Sequence, residues 1–167
     1  KQFNSKMIVL TADVTKEDQV ESAVAEAVKA MGGIDILVNN AGMAGTKAPA
    51  HEQSVDKFQN VFTVNVVSAL IVSGAVLRHS MLENKAGQII NISSRAGKAG
   101  LANNVAYCAS KFALEGTTAT MAVELKDQGI RVNSISPGMV DTQSFPKKPG
   151  QPGVRTAESI RDGFLHL

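Results

Sequence analysis

The sequence predicts an α/β fold, a parallel β-sheet covered by helices on both faces, and three observations predict it. Short β-branched runs alternate with longer segments of helical periodicity. The helical segments stop at glycines, Gly32-Gly33 and Gly129. A polar signature follows each strand: Asp13, Asn39-Asn40-Ala41-Gly42, Ser93-Ser94 and Pro137-Gly138. All four then lie on the carboxyl edge of the sheet, where open α/β sheets bind their ligands.

The elements follow in order. "MIVL" (7–10) is a first strand. A helix follows, capped by Thr15 with Asp18 near N3, its apolar stripe made of Val20, Val24, Val28 and Met31. "IDILV" (34–38) is a second buried strand. Ser54 is placed to cap a long helix reaching about Leu82. "GQIINISS" (87–94) is a third strand, and a Gly/Asn-rich loop leads from it into a helix that holds Tyr107 and ends near Asp127. "IRVNSISPG" (130–138) is a fourth strand, followed by a segment rich in Pro, Gly and Lys that turns briefly helical.

The composition is that of one ordinary globular domain: 167 residues, 44% hydrophobic, 19% charged. The net charge of +2 is made of scattered basic residues, which gives no nucleic-acid surface. Cys108 is the single cysteine, so no internal disulfide can form, and a reducing, cytoplasmic setting is expected. The three histidines, His51, His79 and His166, are far apart, and no metal site is expected. The polar opening "KQFNSK" is not a signal peptide, and "VVSALIVSGAVL" (66–77) is too short and too rich in small residues to span a bilayer.

Tyr107 is the only tyrosine, and it stands four residues before Lys111. On a helix these side chains lie one above the other. Such a pair is either a proton-handling device or a core tyrosine beside a lysine that reaches out to water. Ser94, thirteen residues before Tyr107, closes the strand that feeds this helix and can point into the same crevice; otherwise it is a turn serine. Asn65 interrupts the apolar "FTVNVVSALIV", where an unsatisfied amide would cost a few kcal/mol, so it must be hydrogen-bonded.

Asp13-Val14, Asn39-Asn40-Ala41-Gly42, Asn65, Ser94, Tyr107-x-x-x-Lys111 and Pro137-Gly138 stand in an order and spacing that resembles the short-chain dehydrogenase/reductase family. The likeness covers residues 7–142, is specific as a set, and is nearest to the carbonyl and 3-oxoacyl reductases. It implies a Rossmann-like doubly wound sheet and an NAD- or NADP-dependent interconversion of an alcohol and a ketone. In that reading Ser94 bonds the substrate oxygen, Tyr107 exchanges a proton with it, and Lys111 binds the nicotinamide ribose while favouring the phenolate. Asn65 holds a water that extends the relay. Asp13, Val14 and Asn40 line the adenosine side, Ala41 and Gly42 also bind the cofactor, and Pro137, Gly138, Val140 and Thr142 flank the nicotinamide. A phenol ionises near pH 10 by itself, and a neighbouring ammonium favours its anion, which agrees with these roles.

The family's glycine-rich pyrophosphate turn is expected after its first strand, and no such pattern stands after any strand here. The chain therefore reads as a partial NAD(P)-binding domain over 1–167. The first two strands and the last strand are expected to be absent, and 143–167 opens the substrate-loop region. By itself it is expected to be poorly stable and inactive. The helices at 64–77 and 111–125 are apolar nearly all round, which predicts a homodimer or homotetramer through them. Lys147, Lys148 and Arg155 are read as a solvated loop, although they could meet an anionic substrate. A non-catalytic relative that kept the fold is the alternative, opposed by the intact Ser94, Tyr107 and Lys111. A hydrolase is excluded by the lack of a G-x-S-x-G elbow.

Overall fold

The computed structural model describes residues 6–140 and 152–156. Helix α1 (Glu17–Met31) precedes strand β1 (Ile36–Asn39). A long helical stretch follows, made of α2 (Val55–Phe62), a π turn (Thr63–Val67), α3 (Ser68–Val76), a second π turn (Leu77–Met81) and the short α4 (Leu82–Asn84). Strand β2 (Gly87–Ile92), helix α5 (Val105–Leu125) and strand β3 (Ile130–Ile135) come next. Two short strands, β4 (Met139–Val140) and β5 (Val154–Arg155), pair in parallel apart from the main sheet.

The main sheet is parallel, in the order β1-β2-β3. Its register sets Leu37 beside Ile89 and Ile89 beside Val132; one pleat on, Asn39, Asn91 and Ser134 stand in a row. Parallel neighbours need long crossovers, and the helical stretch and α5 supply them. Side chains alternate across a strand, so Leu37, Ile89, Ile130 and Val132 share one face. That face forms the core with Val20 and Val24 of α1, Ala75, Val76 and Met81 of the long stretch, and Met121 of α5.

The opposite face is open at β1 among the described residues: Ile36 is 59% and Val38 46% exposed. On the neighbouring strand β2 the same face is covered: Gln88 and Ile90, which pair with Ile36 and Val38, are buried. The stretch Val55–Asn84 is long and apolar enough to cross a membrane by length and composition. Its place in the core, through Ala75, Val76 and Met81, is what its apolar character serves in this fold.

Local chemistry explains most boundaries. The Ser54 hydroxyl accepts from the Lys57 N–H and starts α2, as its capping pattern predicts. Gly32 closes α1 with φ of 88°, its N–H bonded to the Val28 carbonyl. Gly129 takes φ of 71° after α5, and a Cβ there would lie 2.2 Å from the Lys85 carbonyl oxygen, so only glycine fits.

Two expectations are corrected. Met7–Leu10 forms no strand: no described strand runs beside it, and without a partner its N–H and C=O groups cannot form a ladder, which leaves Met7 and Val9 more than 80% exposed. Thr15 does not cap α1. Its hydroxyl and N–H both bond to the Asp13 carboxylate, so the N-cap position falls to Lys16, whose side chain makes no cap bond.

Candidate active site

Helix α5 presents Tyr107, Lys111 and Glu115 at intervals of four, hence on one face. Lys111 is 5% exposed. Its Nζ donates to the Ile92 carbonyl at 2.7 Å and lies 5.8 Å from the centre of the Tyr107 ring. Burial lowers its pKa to about 8, with the negative charge of Glu115 working the other way. At neutral pH it is therefore still an ammonium, with one proton committed to Ile92 and two left for other acceptors. Tyr107 is half-buried, and among the described residues its hydroxyl forms no hydrogen bond.

Asn65 sits in the first π turn, 1% exposed. Such a turn inserts one residue into a helix and often marks a functional position. The Asn65 Oδ1 accepts from the Met43 N–H at 2.7 Å, and its Nδ2 donates to the Met43 carbonyl and to Ser110 Oγ, each at 2.9 Å. Both polar atoms of the side chain are thus bonded, as its burial demands. It pins the loop after β1, and Oδ1 keeps one of its two acceptor sites. Ser110 in turn donates to the Tyr107 carbonyl at 2.7 Å. The sequence alone does not single out Ser110; its place just before Lys111 on the buried side of α5 is the one available signal.

Ser94 begins the turn Arg95–Gly97, its Oγ accepting from the Ala96 N–H at 3.1 Å. The hydroxyl proton remains free to donate. This turn is held on two sides. The Ser93 N–H reaches the Ile135 carbonyl at 2.7 Å and the Arg95 N–H reaches that of Pro137 at 3.0 Å. Against α5 the fit is closer still: a Cβ on Gly97 would lie 2.8 Å from the Lys111 carbonyl oxygen and 2.9 Å from Ser93 Oγ. Only glycine lets the Ser94 turn lie flush on the helix of Tyr107 and Lys111.

Beside this assembly, at the carboxyl end of β1, a crevice of about 100 Å³ is lined by Val14, Asn40, Ala41 and Asn65. Asn40, Ala41 and Gly42 are exposed. Asn39 faces inward instead, donating to Ser73 and Asn91 across the sheet face at 2.9 Å each. Asp13 is exposed, and its carboxylate is held by Thr15; these hydrogen bonds, the backbone one first, lower its pKa. Gly138 is exposed with open space where a side chain would be, and Val140 is part of β4. Thr142, Lys147 and Lys148 lie outside the described residues, as does most of 143–167.

These residues fit part of a dinucleotide. A Cβ on Gly42 would meet Asn65 Oδ1 at 3.2 Å and Lys111 Nζ at 3.8 Å, so the bare glycine keeps a flat surface open beside the ammonium. Lys111, with two protons to give, suits ribose hydroxyls. Asn40 and Ala41 line the neighbouring crevice. Among the described residues no glycine-rich turn follows a strand to receive a pyrophosphate.

Comparison with known proteins identifies the family and agrees with the fold. The family model for short chain dehydrogenase matches residues 1–152. Glucose 1-dehydrogenase 2 of Bacillus subtilis (strain 168) is 38% identical over 144 residues, 86% of this chain and 56% of that protein. The structure of NAD+-bound xylitol dehydrogenase superposes with a TM-score of 0.76 at 42% identity, over 79% of this chain and 50% of that one. A gluconate 5-dehydrogenase from Burkholderia cenocepacia J2315, in complex with NADP and tartrate, gives 0.75 at 34% identity, over 79% and 51%. The chain therefore spans about half the length of the proteins it matches.

Proposed function

The chain belongs to the short-chain dehydrogenase family, and on that premise we propose that its protein is an NAD- or NADP-dependent oxidoreductase that interconverts a secondary alcohol and a ketone. The observation that carries the reading is the buried Lys111 ammonium, fixed to the Ile92 carbonyl beside Tyr107 with two protons still to give.

When bound, the dinucleotide supplies the hydride acceptor or donor. Ser94 donates its free hydroxyl proton as a hydrogen bond to the substrate oxygen. Tyr107 takes the proton of that oxygen in the oxidative direction and returns it in the reductive one. Lys111, with two donors left after its bond to Ile92, would bond the ribose hydroxyls of the bound dinucleotide. Asn65 keeps the loop 40–43 seated through both of its side-chain atoms. Asp13, Val14, Asn40 and Ala41 would form the adenosine side, and Pro137, Gly138 and Val140 would flank the nicotinamide.

Three further proposals accompany this one. Val67, Leu70, Phe112 and Val123 leave an exposed apolar surface on the long helical stretch and α5, which supports a homodimer or homotetramer, to be read by sedimentation of the full-length protein. The lone Cys108, buried and free, suits a reducing cytoplasm. Residues 1–167 by themselves are proposed to be inactive, given the open face at Ile36 and Val38; turnover by the isolated 167-residue chain equal to that of the full-length protein would refute this. The main reading is tested by incubating full-length protein with NAD+ or NADP+ and a panel of secondary alcohols, including sugar alcohols and 3-hydroxyacyl thioesters. Formation of reduced nicotinamide with at least one of them is expected. No turnover and no dinucleotide binding would overturn it.

A further inference from the structure

Glu115 gathers three polar side chains around its carboxylate. Its Oε2 accepts from Lys98 Nζ at 2.9 Å and from Ser134 Oγ at 2.7 Å, and its Oε1 accepts from Ser136 Oγ at 2.7 Å. The carboxyl is mostly buried, with 16% of the side chain exposed. Burial alone would raise its pKa, but the bonds from Lys98, Ser136 and Ser134 hold it down at about 2. At neutral pH it is an anion.

The three partners come from the segments that bear the proposed chemistry. Lys98 directly follows the Ser94 turn (Arg95–Gly97). Ser134 and Ser136 lie two apart at the end of β3, so both turn toward the helix face, and Ser136 immediately precedes Pro137-Gly138. Glu115 itself is one helical turn beyond Lys111 and two beyond Tyr107 on the same face of α5. A single carboxylate thus joins the turn of Ser94, the helix of Tyr107 and Lys111, and the segment entering Pro137-Gly138. The backbone bonds from Ser93 to Ile135 and from Arg95 to Pro137 join the first and third segments but do not reach α5.

The geometry points to Glu115 as a positioning residue that sets the distance between α5 and the Pro137-Gly138 segment, and so shapes the nicotinamide end of the dinucleotide site but not its adenosine end. This rests on the dinucleotide reading above. Within it, Ser134 and Ser136 are the arms that hold the Pro137 segment, and the exposed Lys98 is a lesser one, since its ammonium is largely solvated.

The test compares full-length wild-type protein with Glu115→Gln, Ser136→Ala and Lys98→Met. The dissociation constants of NADH, NADPH, ADP-ribose and 2'-phospho-ADP-ribose are measured by calorimetry. The last two probes lack nicotinamide. Glu115→Gln and Ser136→Ala are expected to weaken the favoured reduced dinucleotide about tenfold while leaving its nicotinamide-free counterpart within about twofold; Lys98→Met should change both by less than about twofold. Ser136→Ala removes one small hydroxyl and keeps the test open should Glu115→Gln fail to fold. An unchanged ratio between the two probes in folded Glu115→Gln or Ser136→Ala would overturn the inference while leaving the function intact. Wild-type protein that binds none of the four would overturn the dinucleotide reading, and this inference with it.

Discussion

The two sides of the site are built differently. On the proposed acid/base side, Asn65, Ser110 and Lys111 are buried, and Asn65, Ser110, Lys111 and Glu115 are each hydrogen-bonded to a neighbouring element or turn. On the proposed adenosine side, Asp13, Asn40, Ala41 and Gly42 are exposed beside a small crevice. The first side is fixed by packing before any ligand arrives, as the proposed proton transfer would require. The second only has to receive a surface, which exposed loop residues can do. Lys111 belongs to both, since it lies beside Tyr107 and next to Gly42.

The largest effect is expected where the acid/base side alone is broken. Tyr107→Phe should lower turnover by at least about 1,000-fold, within the range of a lost general acid/base, and leave dinucleotide affinity and melting temperature nearly unchanged. Steady-state kinetics beside a binding titration checks both. Asn65→Ala comes next. It strips partners from Met43 and Ser110 together and should cost about 2–4 kcal/mol of stability, seen in urea unfolding, with the loop 40–43 loosened.

A pH series separates the two charges of α5. The Glu115 carboxylate is held at about 2 against an ordinary 4.5, so its stabilisation is present above pH 4.5 and is lost as pH falls toward 2. Lys111, lowered to about 8 from 10.5, has the opposite sense: the buried ammonium is a cost below pH 8 that is relieved as pH rises to 10.5. Glu115→Gln should flatten the acid limb of stability measured by urea unfolding, and leave the alkaline one. The smallest effect is expected on the open side. Asp13→Ala loses only local bonds to Thr15 on an exposed turn, and its melting temperature should fall by no more than a few degrees.

How much of this is legible in the sequence follows the range of the interactions. Helix boundaries are local, and Ser54, Gly32 and Gly129 announce them. The motif residues are legible because their spacing along strands and helices is itself the geometry. The strand expected at 7–10 fails because β-structure is a property of pairs, and the run is apolar whether or not a neighbour stands beside it. The cap at Thr15 fails to a competing local bond, that of Asp13. Glu115 and Ser110 escape for a different reason: the partners of Glu115 lie 17 to 21 residues away, and Ser110 meets Asn65 across 45 residues, so no local pattern marks them.

Lys111 is where the two sides meet, and Lys111→Met keeps its bulk while removing the charge and its donors. Dinucleotide affinity and turnover at saturating dinucleotide, measured on the same folded full-length variant, test the central claim directly. Both should fall, affinity by about tenfold and turnover by about a hundredfold or more. A folded variant that keeps wild-type affinity and wild-type turnover would contradict the account.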